Sequence, residues 1–359
     1  MKKSLLALAV LGAFAGAASA QSSVTLFGIV DINVGEVKND NGVTGASTKI
    51  KRMGTDGINS SRLGFRGVED LGGGLKAGFH LEAGMSNDIG QVGANLTTGN
   101  GPDGSSRAKF FNRRSTVSLL GNFGEVRLGR DYDPSFWNLT VFDPFGTNGV
   151  GSFLNVVTTL GSGASTLVRA DNSVGYFLPS GIGGIYGQAQ VAAGEGGNNG
   201  TLANNKYAGG RIGYAAGPID VAAAYGQTTI DPSGAKYKLA NIGGAYDFGM
   251  AKLMAQYVDA KFDPLKAKTY LLGVVVPMGQ GEIHAAYDHT KVTGGLTEPT
   301  AKQYALGYVY NLSKRTALYG TYSRITNSGG AAFTVGSQGV GTATNGKSQG
   351  FEGGLRHSF

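Results

Sequence analysis

The sequence predicts an all-β fold, an antiparallel barrel that crosses a membrane on about 16 strands. Three observations predict it. The chain ends on an alternating strand that stops at an aromatic residue. It begins with a segment that reads as a secretory leader. Everything between is a succession of alternating segments joined by two kinds of connection.

The last nine residues run Phe351-Glu352-Gly353-Gly354-Leu355-Arg356-His357-Ser358-Phe359. Alternate side chains of a strand point to opposite faces. Phe351, Gly353, Leu355, His357 and Phe359 then share a mostly apolar face, and Glu352, Gly354, Arg356 and Ser358 a polar one. A final exposed Phe is a liability in water, whereas aromatic rings settle at a bilayer interface.

At the other end, Lys2 and Lys3 precede an apolar run from Leu5 to Val10 and on through Phe14, followed by Ala18-Ser19-Ala20. This is the order of a signal peptide. The apolar stretch is too short for a membrane span of roughly 20 residues. The expected division is a leader over 1–20, cut near Ala20, and a barrel over 21–359.

Composition narrows the class. The chain is 41% apolar, with 62 glycines in 359 residues and no cysteine. Without cysteine there is no disulfide framework and no thiol chemistry. A closed barrel supplies stability another way, because every backbone group pairs and no edge remains. The formal charge is +7, and removing Lys2 and Lys3 leaves 29 basic against 24 acidic residues. These charges are scattered singly through alternating segments. Nucleic-acid binding calls for clustered basic residues with stacking aromatics, so it is excluded.

Seven tight connections centre on Gly72-Gly73-Gly74, Asn122-Phe123-Gly124, Gly181-Ile182-Gly183, Gly217-Pro218, Phe248-Gly249-Met250, Gly279-Gln280 and Ser313-Lys314. Eight longer polar stretches alternate with them: 38–59, 86–108, 133–170, 195–205, 231–236, 263–267, 293–300 and 328–347. Eight hairpins give about 16 strands, with short turns on one side and long loops on the other. Between Ala301 and Ser313, Tyr304, Leu306, Tyr308, Tyr310 and Leu312 share the face expected to meet lipid. By the same parity Leu63 and Phe65 point out while Arg62 and Arg66 point in. Ile283, Ala285 and Tyr287 point out while Glu282, His284 and Asp288 point in.

The chain resembles the general-diffusion porins of the Gram-negative outer membrane, closest to the β-proteobacterial, anion-selective type. The resemblance rests on Gln21-Ser22-Ser23-Val24-Thr25-Leu26-Phe27-Gly28, Ser61-Arg62-Leu63-Gly64-Phe65-Arg66-Gly67, Glu69-Asp70-Leu71-Gly72-Gly73-Gly74-Leu75, Arg113-Arg114-Ser115-Thr116, Phe123-Gly124-Glu125-Val126-Arg127-Leu128-Gly129-Arg130, Asp171-Asn172-Ser173-Val174-Gly175-Tyr176 and the terminal Phe. It implies a 16-stranded homotrimeric channel whose third loop folds into the lumen. It also implies outer-membrane lipid, lipopolysaccharide and the barrel-assembly machinery as partners. Phe359 would be the assembly signal. Small anionic solutes would pass by passive diffusion, with no cofactor and no enzymatic step.

The third connection, 133–170, follows Gly129-Arg130-Asp131 and is the expected constriction loop. Its aromatics Phe136, Trp137, Phe142 and Phe145 are suited to packing it against the wall. Fixed arginines lower the entry barrier for anions and raise it for cations. Arginine stays charged and offers planar donors to carboxylate and phosphate. Arg62 has lumen parity. Of the adjacent Arg113 and Arg114, parity favours Arg114, and the resemblance favours Arg113; a bulge would reconcile them. Arg169 ends the loop, and Arg130 lies at the strand end on the anion path. The resemblance implies basic residues at Arg62, Arg113 and Arg169 opposite loop acids, for which Asp133 and Asp143 are the candidates. Ile29 stands where the family often has another basic residue. Small-residue runs, Val221 to Ala224 and Ala189 to Ala193, would allow close packing between trimer subunits.

Gly341 to Ser348 matches a phosphate-binding loop pattern but leads into an alternating strand rather than a helix, so the match is rejected. The four histidines show no metal spacing. No Ser–His–Asp set or carboxylate pair is evident. The alternatives are a substrate-selective channel of the same fold and, from another class, a barrel enzyme or adhesin.

Overall fold

The computed structural model describes residues 23–97, 107–194, 205–230, 234–336 and 341–359. The expected leader, with its processing site near Ala20, lies outside the described residues, as do parts of four of the expected loops.

The wall is a closed antiparallel barrel of 16 strands. In chain order these are β1 (Ser23–Asp40), β2 in two parts (Ser47–Thr55 and Arg62–Gly72), β3 (Leu75–Ser86), β4 (Arg114–Gly121), β5 (Gly124–Tyr132) and β6 (Arg169–Phe177). Then come β7 (Ile185–Ala192), β8 (Lys206–Ala216), β9 (Ile219–Thr229), β10 (Lys236–Asp247) and β11 (Lys252–Phe262). The last are β12 (Leu265–Met278), β13 (Gly281–Thr293), β14 (Thr300–Asn311), β15 (Thr316–Ser328) and β16 (Lys347–Ser358). Each strand pairs with the next. All seven tight turns fall at one end of the barrel, where both ends of the wall also lie.

Closure runs from Ile29 opposite Ser358 to Asp40 opposite Lys347. Gly28 and Phe359 extend it by exchanging backbone hydrogen bonds of 3.1 and 3.0 Å. The Phe359 ring lies directly over Gly28, where a Cβ would come within 2.2 Å of it. Glycine at 28 is what makes room for the terminal ring.

The outward face follows the parity read from the sequence. Leu26, Val117, Leu128, Val191, Ile212, Ile242, Leu272, Leu306 and Phe351 are all exposed there, as are Tyr214, Tyr246, Tyr304, Tyr310 and Tyr322. This is a lipid-facing band with tyrosines along it. Among the described residues no helix is long and apolar enough to span a membrane.

Three expectations are corrected. The first loop is much shorter than 38–59, because β1 continues to Asp40 and β2 begins at Ser47. These strands rise above the apolar band and carry Lys38, Lys49, Lys51 and Glu36, so polarity on both faces reads as loop. The stretch 263–267 is a tight hairpin, with Phe262 opposite Leu265. Of the small-residue runs, Ala192, Ala222 and Ala224 are buried on the lumen side, so only alternate members face outward.

β2 is interrupted. Its later part pairs with Ser23–Ile29 and its earlier part with Ile32–Asp40. Residues 56–61 between them leave the wall and turn inward. The freed N–H groups need acceptors. The Asp31 carboxylate accepts from Gly57, Ile58 and Asn59 at 3.2, 2.9 and 2.8 Å, and also from the Tyr319 hydroxyl.

The connection between β5 and β6 folds into the lumen, as expected. Asp133 has extended backbone angles and Pro134 opens the helix α1 (Pro134–Val141), where its missing N–H costs nothing. A single 3-10 turn follows at Phe153–Asn155. An extended apolar cluster among the described residues joins this loop to the inner wall and to the connection before β16: it contains Leu139, Phe153 and Val156 with Val258 and Ile325 of the wall and Val335 of the connection. The core is therefore inside the barrel, where the loop covers the wall.

Candidate functional site

Neutral polar groups on the wall dock the loop. Asn138 donates from Nδ2 to the Ala222 carbonyl at 3.1 Å and to Asn241 Oδ1 at 2.9 Å. Asn241 in turn donates to the Ser135 carbonyl, and Gln256 to that of Leu139. Gln303 donates to the carbonyls of Gly151 and Ser152 at 3.2 and 3.0 Å and to Asp288 at 2.6 Å. Glycines let the loop lie close: a Cβ on Gly243 would be 2.4 Å from the Phe142 ring, and one on Gly273 would be 2.3 Å from Pro144. At the loop tip, the Val150 N–H donates to Glu352 at 2.9 Å and the Ser60 hydroxyl to Asn148 at 2.8 Å.

One open space beside the loop is a cavity of about 590 Å³ bordered by Arg62, Arg113, Arg169 and Arg356 from the wall and by Phe136, Trp137, Thr140 and 143–148 from the loop. Arg62 approaches Glu82 at 3.5 Å and donates from Nε to the Ser60 carbonyl at 2.8 Å. Arg113 pairs with the same Glu82 at 2.6 Å and donates to the Tyr132 hydroxyl at 2.5 Å. The Arg169 guanidinium lies over the Tyr132 ring with its Cζ at 4.0 Å, a cation–π contact. Among the described residues neither Arg169 nor Arg356 has a carboxylate partner within ion-pair distance. Glu82 is shared by two of the four arginines, and Glu282, paired with His284 at 3.0 Å, and the buried Asp143 also border the cavity, so the guanidinium groups still outnumber the carboxylates around it.

Arg62, Arg113 and Arg169 are thus brought together. Arg113 and Arg114 both point into the lumen: β4 starts at Arg114, opposite Glu82, and the Arg113 N–H donates to the carbonyl of that same Glu82 at 3.1 Å, so two adjacent residues face one, as in the bulge that would reconcile them. Arg114 sits nearer the tight turns, 3.4 Å from Asp131, in a second basic recess with Arg66, Arg127, His80 and Glu125. Arg130 is not brought to the opening. It donates to the Asn112 carbonyl and to Asp171, which also receives Lys109.

Neither Asp133 nor Asp143 faces the arginines as a free carboxylate. Asp133 is fully buried at the loop entrance, and burial pushes its pKa well up. Asp143 accepts from the N–H groups of Phe145, Thr147 and Phe153, and burial raises it to about 6. The acid that meets the arginines is Glu82. Sequence reasoning noted only its shared parity with His80, which stands 3.3 Å from it. Arg356 was also missed as a site residue, although it lies on the polar face of the last strand. No cluster of His, Asp and Glu suited to a metal exists among the described residues.

A family model described as "Gram-negative porin" matches residues 7–330. "Outer membrane porin protein 32" of Delftia acidovorans is 41% identical over all of both chains. An outer membrane porin protein of Bordetella pertussis is 31% identical over 90% of this chain and 94% of its own. Among solved structures, "Anion-selective porin from Comamonas acidovorans" superimposes with a TM-score of 0.79 at 36% identity, covering 94% of this chain and all of that one.

Proposed function

Since the chain belongs to the Gram-negative porin family and forms an outer-membrane channel for passive diffusion, we propose that the channel prefers small anions and that Arg62, Arg113, Arg169 and Arg356 are its filter. One observation carries this reading: four guanidinium groups border the opening and only Glu82 pairs with any of them. Two unit charges about 8 Å apart in bulk water interact by roughly 0.5 kcal/mol, and a narrow low-dielectric passage raises that several-fold. The likeness to a porin described as anion-selective supports the same reading.

Replacing Arg62, Arg113 and Arg169 together by Ser is expected to bring the reversal potential in a potassium chloride gradient close to that of an unselective pore. The loss should be larger at low salt, where screening is weak. An unchanged reversal potential would remove the arginines as the filter.

The channel reading needs no catalytic group, and we propose no enzymatic role. A trimer form is recorded for a Vibrio cholerae outer membrane protein of the same fold. For this chain we propose a homotrimer, leader cleavage near Ala20, insertion by the barrel-assembly machinery, and surrounding lipid and lipopolysaccharide. Deleting Phe359 removes both the ring over Gly28 and the last closing hydrogen bonds. It is expected to cut the amount of folded protein in the outer membrane far more than the conductance of any barrel that forms.

A further inference from the structure

The opening has an aromatic side as well as a basic one. On α1, Ser135, Asn138 and Leu139 face the wall and are buried, while half-buried Trp137 borders the open cavity. Trp137 is the only tryptophan in the chain. Its ring lies 5.0 Å from that of Tyr132, which stacks on Phe136 at 5.5 Å with planes 5° apart. The Arg169 guanidinium covers the same Tyr132 at 4.0 Å, so the indole and this cation lie within about 9 Å of each other. Arg113 is held at that ring as well, through the Tyr132 hydroxyl.

We propose that this pairing selects among anions, so that planar aromatic carboxylates dwell in the opening longer than aliphatic ones of equal charge and size. The carboxylate meets the forked donors of Arg169 and its neighbours. The ring packs against the indole of Trp137, where an offset or edge-on aromatic contact adds to simple burial. This inference rests on the anion preference proposed above.

The test is single-channel recording in a planar bilayer with benzoate or cyclohexanecarboxylate added to potassium chloride. The two have the same charge and nearly the same size, and only one is planar and aromatic. Benzoate is expected to reside about fivefold longer, in line with the aromatic pair contribution. The difference should vanish in Trp137→Leu and survive in part in Trp137→Phe. Equal residence of the two anions in the wild-type channel, or a difference that persists in Trp137→Leu, overturns the proposal. The wild-type reversal potential in potassium chloride alone, taken in the same membrane, reports on the arginine filter separately.

Discussion

The lumen has two unlike walls. From β2 to β6 it carries Arg62, Arg66, Arg113, Arg114, Arg127 and Arg169, braced by Glu82, Asp131 and Glu125. From β9 to β15 the inward residues that meet the loop are mostly amides and small groups: Ala222, Asn241, Gly243, Gln256, Gly273 and Gln303. The difference follows from what each wall faces. The second wall must satisfy loop carbonyls and N–H groups in a buried seam, where an unpaired charge is costly and an amide is not. The first borders the open cavity, where Arg62, Arg113 and Arg169 present guanidinium groups that are only partly exposed and partly held by Glu82 and Tyr132. Charge is concentrated on the wall that borders the open cavity, while the seam that holds the loop is built mainly of amides and small groups, with Arg211, Asp288 and Glu352 as its ionisable members.

The sharpest way to break the holding wall is steric. Gly243→Val puts side-chain atoms where the Phe142 ring lies, while valine suits the strand itself. Overpacking of this kind costs about 1–3 kcal/mol, here charged to the loop rather than to the barrel. The expected outcome is a folded barrel with larger, noisier conductance steps and entry of larger solutes. Unaltered steps would mean that the loop does not define the opening.

A smaller effect is expected on the passing wall. Glu82→Gln removes the carboxylate shared by Arg62 and Arg113. Anion preference should rise several-fold, on the order of 1 kcal/mol, read as a larger reversal potential at low salt. A fall in preference would show that Glu82 is needed chiefly to hold the arginines upright.

The smallest effect concerns pH. Asp143 has its folded pKa raised to about 6 by burial, against an ordinary 3.8. A raised carboxyl pKa means that the docked loop binds the proton more tightly than the released one. Its contribution is therefore full below about 4, declines as pH rises, and is lost above about 6. Trp137 emission is expected to titrate near pH 6 in the wild type and to be flat in Asp143→Asn. A titration that survives the substitution assigns the effect to another group.

Much of this architecture was legible because a barrel wall obeys one rule, alternation, that a linear sequence displays directly. Tyr304, Leu306 and Tyr310 lie outward, and Arg62 and Arg114 inward, as parity requires. Legibility failed where the backbone leaves that rule. Arg113 lies just before its strand begins, so its direction is set by Glu82 and Tyr132, which are 31 and 19 residues away. The first loop was overextended because strands above the lipid lose the apolar half of their signal. Asp133 and Asp143 were expected to face the arginines because the family resemblance implies loop acids opposite the basic wall; their burial depends on packing against strands far along the chain. Glu82 has nothing in its own neighbourhood to set it apart from any lumen-facing acid.

The inward turn at 56–61 gives the loop a second support. At one end the loop is continuous with β5 and β6 and lies along the wall through α1. At its tip, Asn148 takes the Ser60 hydroxyl and Gly149 rests on the Gly57 carbonyl, with Glu352 holding Val150. Mechanically this is a beam clamped at both ends rather than a cantilever. A clamped beam deflects far less under the same load, and its slowest vibrations are faster. An electric field across the membrane would then have to release the tip before it could swing the loop. The ion current through this opening should accordingly be quiet until the applied voltage is high enough to do so.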